Sequence, residues 1–201
     1  MVGGQGSRRE ELVAAAYRRV AVAGFEGLRL RQVADDVGID HSTLHHHIAT
    51  KQELVEAVAE HTVRQFFATD PQAPGIGLRG HLAALHRMMV ERPELFTVTV
   101  ELDLRARRDP SIAAVMAQFE AGWRAVLAAT LSGTVADPDR AAELVIATVK
   151  GVRLLPELAE DVFEALAELL VGVDRRPDGH VRDVTRRKRG LPDGESAVRY
   201  R

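Results

Sequence analysis

The chain has 201 residues, a net charge of −2, 46% hydrophobic residues, few aromatics and no cysteine. That length holds one compact unit or a small domain joined to a larger one, and the missing cysteine excludes disulfides and thiolate metal ligands. The near-neutral charge gives no support to a chain basic throughout, so any nucleic-acid contact must come from a local patch.

Ala, Leu and Val dominate, which favours helices packed on helices. Ser7-Arg8-Arg9-Glu10 matches a capping box at a helix start. Leu12, Ala16 and Val20 then form one apolar stripe, with Val13 and Tyr17 beside it. Gly24 ends this helix, and Phe25 is expected to pack back onto it.

Leu30 to Lys51 reads LRQVADDVGIDHSTLHHHIATK. Leu30, Val33, Ala34 and Val37 recur at helical spacing, Gly38 breaks the run, and Asp40 opens a second short helix carrying Leu44 and Ile48. Two short amphipathic helices joined by a Gly-containing turn predict a helix-turn-helix over about residues 31–50. In such a motif the second helix enters the DNA major groove with its leading residues toward the bases. Asp40 is the expected cap. His41, Ser42, Thr43, His45 and His46 fill the first two turns and form the groove-facing set. Arg29, Arg31, Gln32 and Lys51 flank the motif at helix starts, where phosphates are within reach.

Thr50-Lys51-Gln52-Glu53 is a second capping box, opening a helix with Leu54, Val55, Val58, Ala59 and Phe66 on one side. Asp70–Gly80 is rich in Pro and Gly and reads as a loop. A helix over about His81–Glu91 follows. Pro93 then fits the first turn of a helix with Leu95, Phe96, Leu102 and Leu104. Asp109-Pro110 and Asp137-Pro138 each read as a cap followed by Pro at the first helical position. The first opens a stripe of Ile112, Val115, Met116, Phe119, Trp123, Val126 and Leu127. The second opens one of Ala141, Val145, Val149 and Val152. Pro156 precedes Leu158, Val162, Leu166, Leu169 and Val173. No convincing alternation of period two occurs, so the fold class is all-α. From Asp174 onward Arg and Lys mix with Pro, Gly and Asp, and residues 174–201 read as a basic, disordered tail.

These residues resemble the TetR/AcrR family of transcriptional regulators. GFEGLRLRQVADDVGIDHSTLHHHIATKQEL follows that family's run from the loop after the first helix to the start of the fourth. Gly24, Phe25, Val33, Ala34, Gly38, Thr43, Leu44, His47, Lys51 and Leu54 stand where the pattern expects them. Arg29 replaces the usual Thr or Ser, His45 the usual Tyr, and Ile48 the usual Phe. The resemblance implies a DNA-binding domain over residues 1–50 and a larger helical effector-binding and dimerisation domain over residues 51–173.

It also implies a small-molecule effector whose identity the sequence does not give. His86, Met89, Phe96, Glu101, Met116, Phe119 and Trp123 are the candidate lining. The final two helices would form a homodimer interface through Ala141, Val145, Val149, Val152, Leu158, Val162, Leu166 and Leu169. Expected partners are therefore a double-stranded DNA operator, a second copy and the effector. Neither a membrane nor a cofactor is expected: no run of about 18 apolar residues occurs, and the N-terminus has no signal-like apolar core, so the chain is read as cytoplasmic.

His41 and His45 stand at the i,i+4 spacing that suits a shared zinc ion, yet no further ligand is evident, and no metal is expected. The rival classes are a helical enzyme and a protein-binding adaptor. No nucleophile elbow, phosphate loop, dinucleotide fingerprint or HExxH appears, and the reading is a regulator with no catalytic residues. It is a repressor rather than an activator on this reading.

Overall fold

The computed structural model describes residues 4–68 and 76–172. The loop expected within Asp70–Gly80 lies mostly outside the described residues, and the tail 174–201 lies wholly outside them. Among the described residues there are helices and no strand. They are α1 (Gly4–Gly27), α2 (Leu30–Val37), α3 (His41–His45), α4 (Lys51–Arg64), α5 (Gly77–Glu91), α6 (Pro93–Ala106), α7 (Pro110–Leu131), α8 (Pro138–Val152) and α9 (Ala159–Val171), with short 3-10 turns at Gln65–Ala68 and Pro156–Leu158. α1, α2 and α3 form a head. α4 links it to a body in which α7 packs on α6 and α8, and α5 on α9.

The helix boundaries follow local chemistry. Thr50 accepts the Glu53 N–H at 3.0 Å, while Glu53 reaches back to the Ala49 N–H at 2.8 Å, one residue earlier than a standard capping box. Asp109 accepts from the N–H groups of Ser111 and Ile112, and Asp137 from that of Arg140, each ahead of a Pro at the first helical position. Gly38 closes α2 at φ 72°, a left-handed conformation that costs glycine nothing.

Three boundaries differ from expectation. α1 starts at Gly4, a turn before the Ser7 box. α5 starts at Gly77 and not His81, because Leu78 is 3% exposed and its burial draws the extra turn into the helix. α3 ends at His45 and not near Ile48, although the Ile48 N–H still bonds the Leu44 carbonyl at 2.9 Å, which keeps Ile48 on the inward face.

The buried apolar residues form one continuous core running from Leu12 in α1 to Ala167 in α9. The boundary expected between residues 50 and 51 falls at the Thr50 cap, and apolar packing continues across it through Leu54, Val55 and Val58.

Candidate nucleic-acid interface and the body behind it

α3 is short, so its position depends on what holds its ends. Leu44 and Ile48 are fully buried and anchor it to the head, leaving His41, Ser42, His45 and His46 exposed and Thr43 half-buried. At the N-terminus Asp40 accepts the Thr43 N–H at 2.8 Å and the Thr43 hydroxyl at 2.9 Å, and the Ser42 hydroxyl also donates to it. Hydrogen bonds from Ser42 and Thr43 hold its carboxyl well below the usual carboxylate range. The Ser42 and Thr43 hydroxyls are thus tied to the cap, so the outermost groups of the helix are imidazoles. His45 Nδ1 lies 3.2 Å from the Ala49 carbonyl, which can only accept. The neutral His45 ring then carries its lone pair on Nε2, and His41 Nε2, 3.3 Å away, is the donor.

α1 braces the motif from behind. Arg9 donates to the His47 carbonyl at 3.3 Å and pairs with Glu53 at 2.9 Å, while Arg8 reaches the Val37 carbonyl at 3.4 Å. Arg19 grips both oxygens of Asp36 at 2.6 and 2.7 Å and donates to the Gln32 side-chain oxygen at 3.1 Å.

The flanking cations are placed unequally. Arg31 is exposed on the first turn of α2. Arg29 folds back onto the carbonyls of Glu26 and Leu28 at 2.5 and 3.2 Å and makes no side-chain cap for α2, where a Thr or Ser would. Lys51 donates to the Phe25 carbonyl at 3.4 Å, and burial, with Arg29 and Arg105 nearby, lowers its pKa. Of the expected DNA set, Gln32, Arg29 and Lys51 are therefore occupied with internal partners, while Arg31 and the α3 imidazoles at 41, 45 and 46 are exposed. Among the described residues no group of three or more His, Asp or Glu converges as a metal site.

In the body, an aromatic chain runs from buried Phe96 and Phe66 to half-buried Phe119 and Trp123. Phe66 meets Phe96 edge-on at 5.5 Å and Phe119 at 5.6 Å; Phe119 stacks on Trp123 at 6.3 Å; and the Trp123 indole N–H donates to His81 Nε2 at 3.0 Å. The Arg153 guanidinium sits 5.9 Å from the centre of the Phe66 ring. Of the expected lining, Phe96, Phe119 and Trp123 belong to this chain, Met89 is buried, and His86 is half-buried.

Met116 lines a separate open cleft of about 670 Å³ between α6, α7 and α8, together with Asp103, Glu120 and Lys150. Glu101 departs from expectation. Its carboxylate accepts the Phe25 N–H at 3.3 Å and so faces the head, drawn there by the peptide N–H that follows the Gly24 break in α1. Phe66, His81 and Arg153 had no place in the sequence-derived set. Only Phe66 carried a signal, as the end of the α4 stripe.

Arg153 is 2% exposed and pairs with Asp103 at 3.1 Å, and Asp103 also pairs with Lys150 at 3.1 Å. Burial lowers the Arg153 pKa, which the Asp103 carboxylate opposes.

The residues of the expected dimer face differ in exposure. Ala141, Val145, Val149 and Val152 are buried by the chain's own helices, as is Leu166 on α9. The α8 stripe fills the contact with α7, so it is not a free surface. Exposed apolar residues stand nearby: Leu144 on α8 (43% exposed), Leu154 (68%) and Leu155 (51%) just past its end, Leu158 (43%) in the 3-10 turn and Leu169 (76%) on α9. Val162 is half-buried beside them.

Comparison with known proteins agrees with this geometry. The family model described as bacterial regulatory proteins of the tetR family matches residues 12–58, and the one described as the C-terminal part of a BetI-type transcriptional repressor matches residues 77–171. No protein of curated function matches the chain.

Among solved structures, a transcriptional regulator from Rhodococcus sp. Rha1 is similar with a TM-score of 0.74 and 25% identity, over 82% of this chain and 98% of that one. A TetR-family member from Streptomyces coelicolor A3 is similar with a TM-score of 0.68 and 27% identity, over 81% and 98%. The multidrug binding protein EbrR, complexed with ethidium, is similar with a TM-score of 0.66 and 25% identity, over 81% and 98%. Such regulators bind DNA operators and small-molecule effectors and usually dimerise, and they are not enzymes. Among the described residues no helix is long and apolar enough to cross a membrane. The fold, the exposed polar edge of α3 and both family matches agree: this chain belongs to the TetR family of transcriptional regulators.

Proposed function

We propose that the chain acts in the cytoplasm as a homodimeric repressor that reads DNA with the exposed edge of α3 and releases it when a small molecule enters the body. The observation that carries this reading is the division of α3 into buried Leu44, continued inward by Ile48, and exposed His41, Ser42, His45 and His46. A short helix held from behind, with its donors outward, is what the major groove accepts. Arg31 is the exposed cation placed to meet phosphate, and Arg29 and Lys51 act first on the head's own backbone. Phosphate contacts position the head, while the imidazoles supply contacts to base edges.

Two heads are needed for two half-sites about 34 Å apart. The outward leucines Leu144, Leu155, Leu158 and Leu169 support pairing of α8 and α9 with a second copy into a four-helix bundle. For the effector, the aromatic interior around Phe66, Phe119 and Trp123 suits a flat, largely apolar molecule. The similarity to a multidrug binding protein complexed with ethidium points the same way.

Gel shift on the DNA upstream of the chain's own coding region tests the reading. Sequence-specific retardation that His45→Ala or His46→Ala removes is expected. Equal retardation of unrelated DNA, or none, overturns it.

A further inference from the structure

The break in α1 at Gly24 turns the chain toward α2, and this turn is held by side chains from outside the head. Gly24 takes φ +63°, and a Cβ on it would stand 2.8 Å from Glu101 Oε2, so the turn and the carboxylate fit only because Gly24 has no side chain. The next peptide group on each side of Phe25 is gripped. Glu101 of α6 accepts the Phe25 N–H at 3.3 Å, and Lys51 of α4 donates to the Phe25 carbonyl at 3.4 Å. Arg105, one turn along α6 from Glu101, places its guanidinium 5.4 Å from the centre of the buried Phe25 ring.

From Arg105 the hydrogen bonds continue into the body. Its Nε donates to Asp109 at 3.1 Å and its Nη2 to the Gln52 side-chain oxygen at 3.2 Å. The Gln52 amide donates in turn to Ser111 Oγ at 2.8 Å and to Asp109 at 3.0 Å. Asp109 caps α7, and Gln52 lies in the first turn of α4. Burial works against the Asp109 carboxylate, but hydrogen bonds from Ser111, Gln52 and the Ile112 N–H, with Arg105 beside it, hold its pKa at about 2. Asp109 stays ionised at neutral pH.

We infer that Glu101, Arg105 and Gln52 are positioning residues that set the angle of the DNA-binding head on the body. The inference rests on the regulator reading and adds which side chains fix that angle. Its physical basis is where the network ends: Glu101 and Arg105 of α6 and Lys51 of α4 meet at Phe25, while Gln52, Asp109 and Ser111 tie Arg105 to the starts of α4 and α7. A hold on both sides of Phe25, one to its N–H and one to its carbonyl, resists rotation of the chain there, which a single bond would not. Charge-assisted bonds of this kind are stronger than neutral ones.

The test measures head-to-body distance in the full chain. Because the sequence has no cysteine, Asp35→Cys on exposed α2 and Val90→Cys on exposed α5 give two unique spin-label sites. Labelled chains are diluted with unlabelled ones, and the distance distribution is read by pulsed dipolar spectroscopy. Glu101→Ala and Gln52→Ala are expected to shift and broaden the distribution. Glu101→Gln, whose amide oxygen still accepts the Phe25 N–H, is expected to restore the parent's narrow one. Should Glu101→Ala not fold, Gln52→Ala and Glu101→Gln still decide the matter. Parent-like distributions in the alanine variants, or a Glu101→Gln distribution as broad as that of Glu101→Ala, overturn the inference. No DNA enters this measurement, so failure of the gel shift refutes the regulator reading separately.

Discussion

The head and the body place their polar side chains in opposite ways. In the head they lie at the surface: Asp40 bonds residues two and three along the chain, Arg19 of α1 clasps Asp36 of α2, and the imidazoles of α3 at 41, 45 and 46 face solvent. In the body, charges and polar rings go inside and pair across long separations. Arg153 meets Asp103 fifty positions away, and His81 meets Trp123 forty-two positions away. A surface that reads DNA must keep donors exposed, so its shape depends on caps and on two anchoring apolar residues. An interior that responds to a small molecule must hold polar groups in dry surroundings, where an unpaired group is costly.

The largest break in this comparison is expected from Leu44→Ala. Leu44 is fully buried and holds α3 to the head, and large-to-small changes at such sites cost about 2–5 kcal/mol. Denaturant unfolding should show that loss, and specific DNA binding should vanish with it, while the near-ultraviolet signal of Trp123 in the body survives in the folded fraction.

The counterpart in the body is Arg153→Ala. Removing one partner of a buried ion pair costs about 3–5 kcal/mol, and the low end applies because Asp103 is 26% exposed and keeps Lys150. Pairing Arg153→Met with Asp103→Leu should recover most of the loss. No recovery would show that Arg153 stabilises by something other than charge pairing.

A smaller effect is expected at the junction. Gly24→Ala forces a side chain into φ +63°, ψ 178° against Glu101, which should cost about 1–3 kcal/mol. An unchanged melting temperature would mean that the turn relaxes freely and that the head is not held there.

The smallest is a pH effect. Burial, then Arg64 and Arg92, lower the His61 pKa below its ordinary 6.5. The unfolded chain takes up that proton more readily than the folded one, so stability should fall as pH drops from 6.5 through the depressed folded value. Replacing His61 with Gln should flatten that part of the melting-temperature profile. Asp109 adds a second, lower window: its stabilisation is complete above 3.8 and is lost as pH falls toward about 2.

The same contrast explains how much was legible in the sequence. The head reads well because its determinants are local. Gly38 needs a left-handed turn, Asp40 needs nearby N–H groups, and Leu44 and Ile48 fall four apart. Helix starts at Pro93, Pro110 and Pro138 read well for the same reason. The body reads as helices but not as a site. Nothing near Arg153 announces a buried guanidinium, and nothing near Glu101 announces that its partner is Phe25.

On α8 the residues at 141, 145, 149 and 152 are apolar, and so are Leu144 on its outer side and Leu155 just past its end. Periodicity marks an apolar face without saying whether a helix of the same chain or a second copy covers it. Arg29, Gln32 and Lys51 show the converse: residue type and position suggest contact with DNA, while the structure gives each a partner within the protein.

The most direct test of the central claim, that the exposed edge of α3 reads DNA, is footprinting of the parent and of His45→Ala on genomic DNA upstream of the coding region. The account predicts protection of two half-sites about one helical turn apart, or a multiple of it, lost in His45→Ala although binding to random DNA persists. Identical footprints from the two proteins would contradict it.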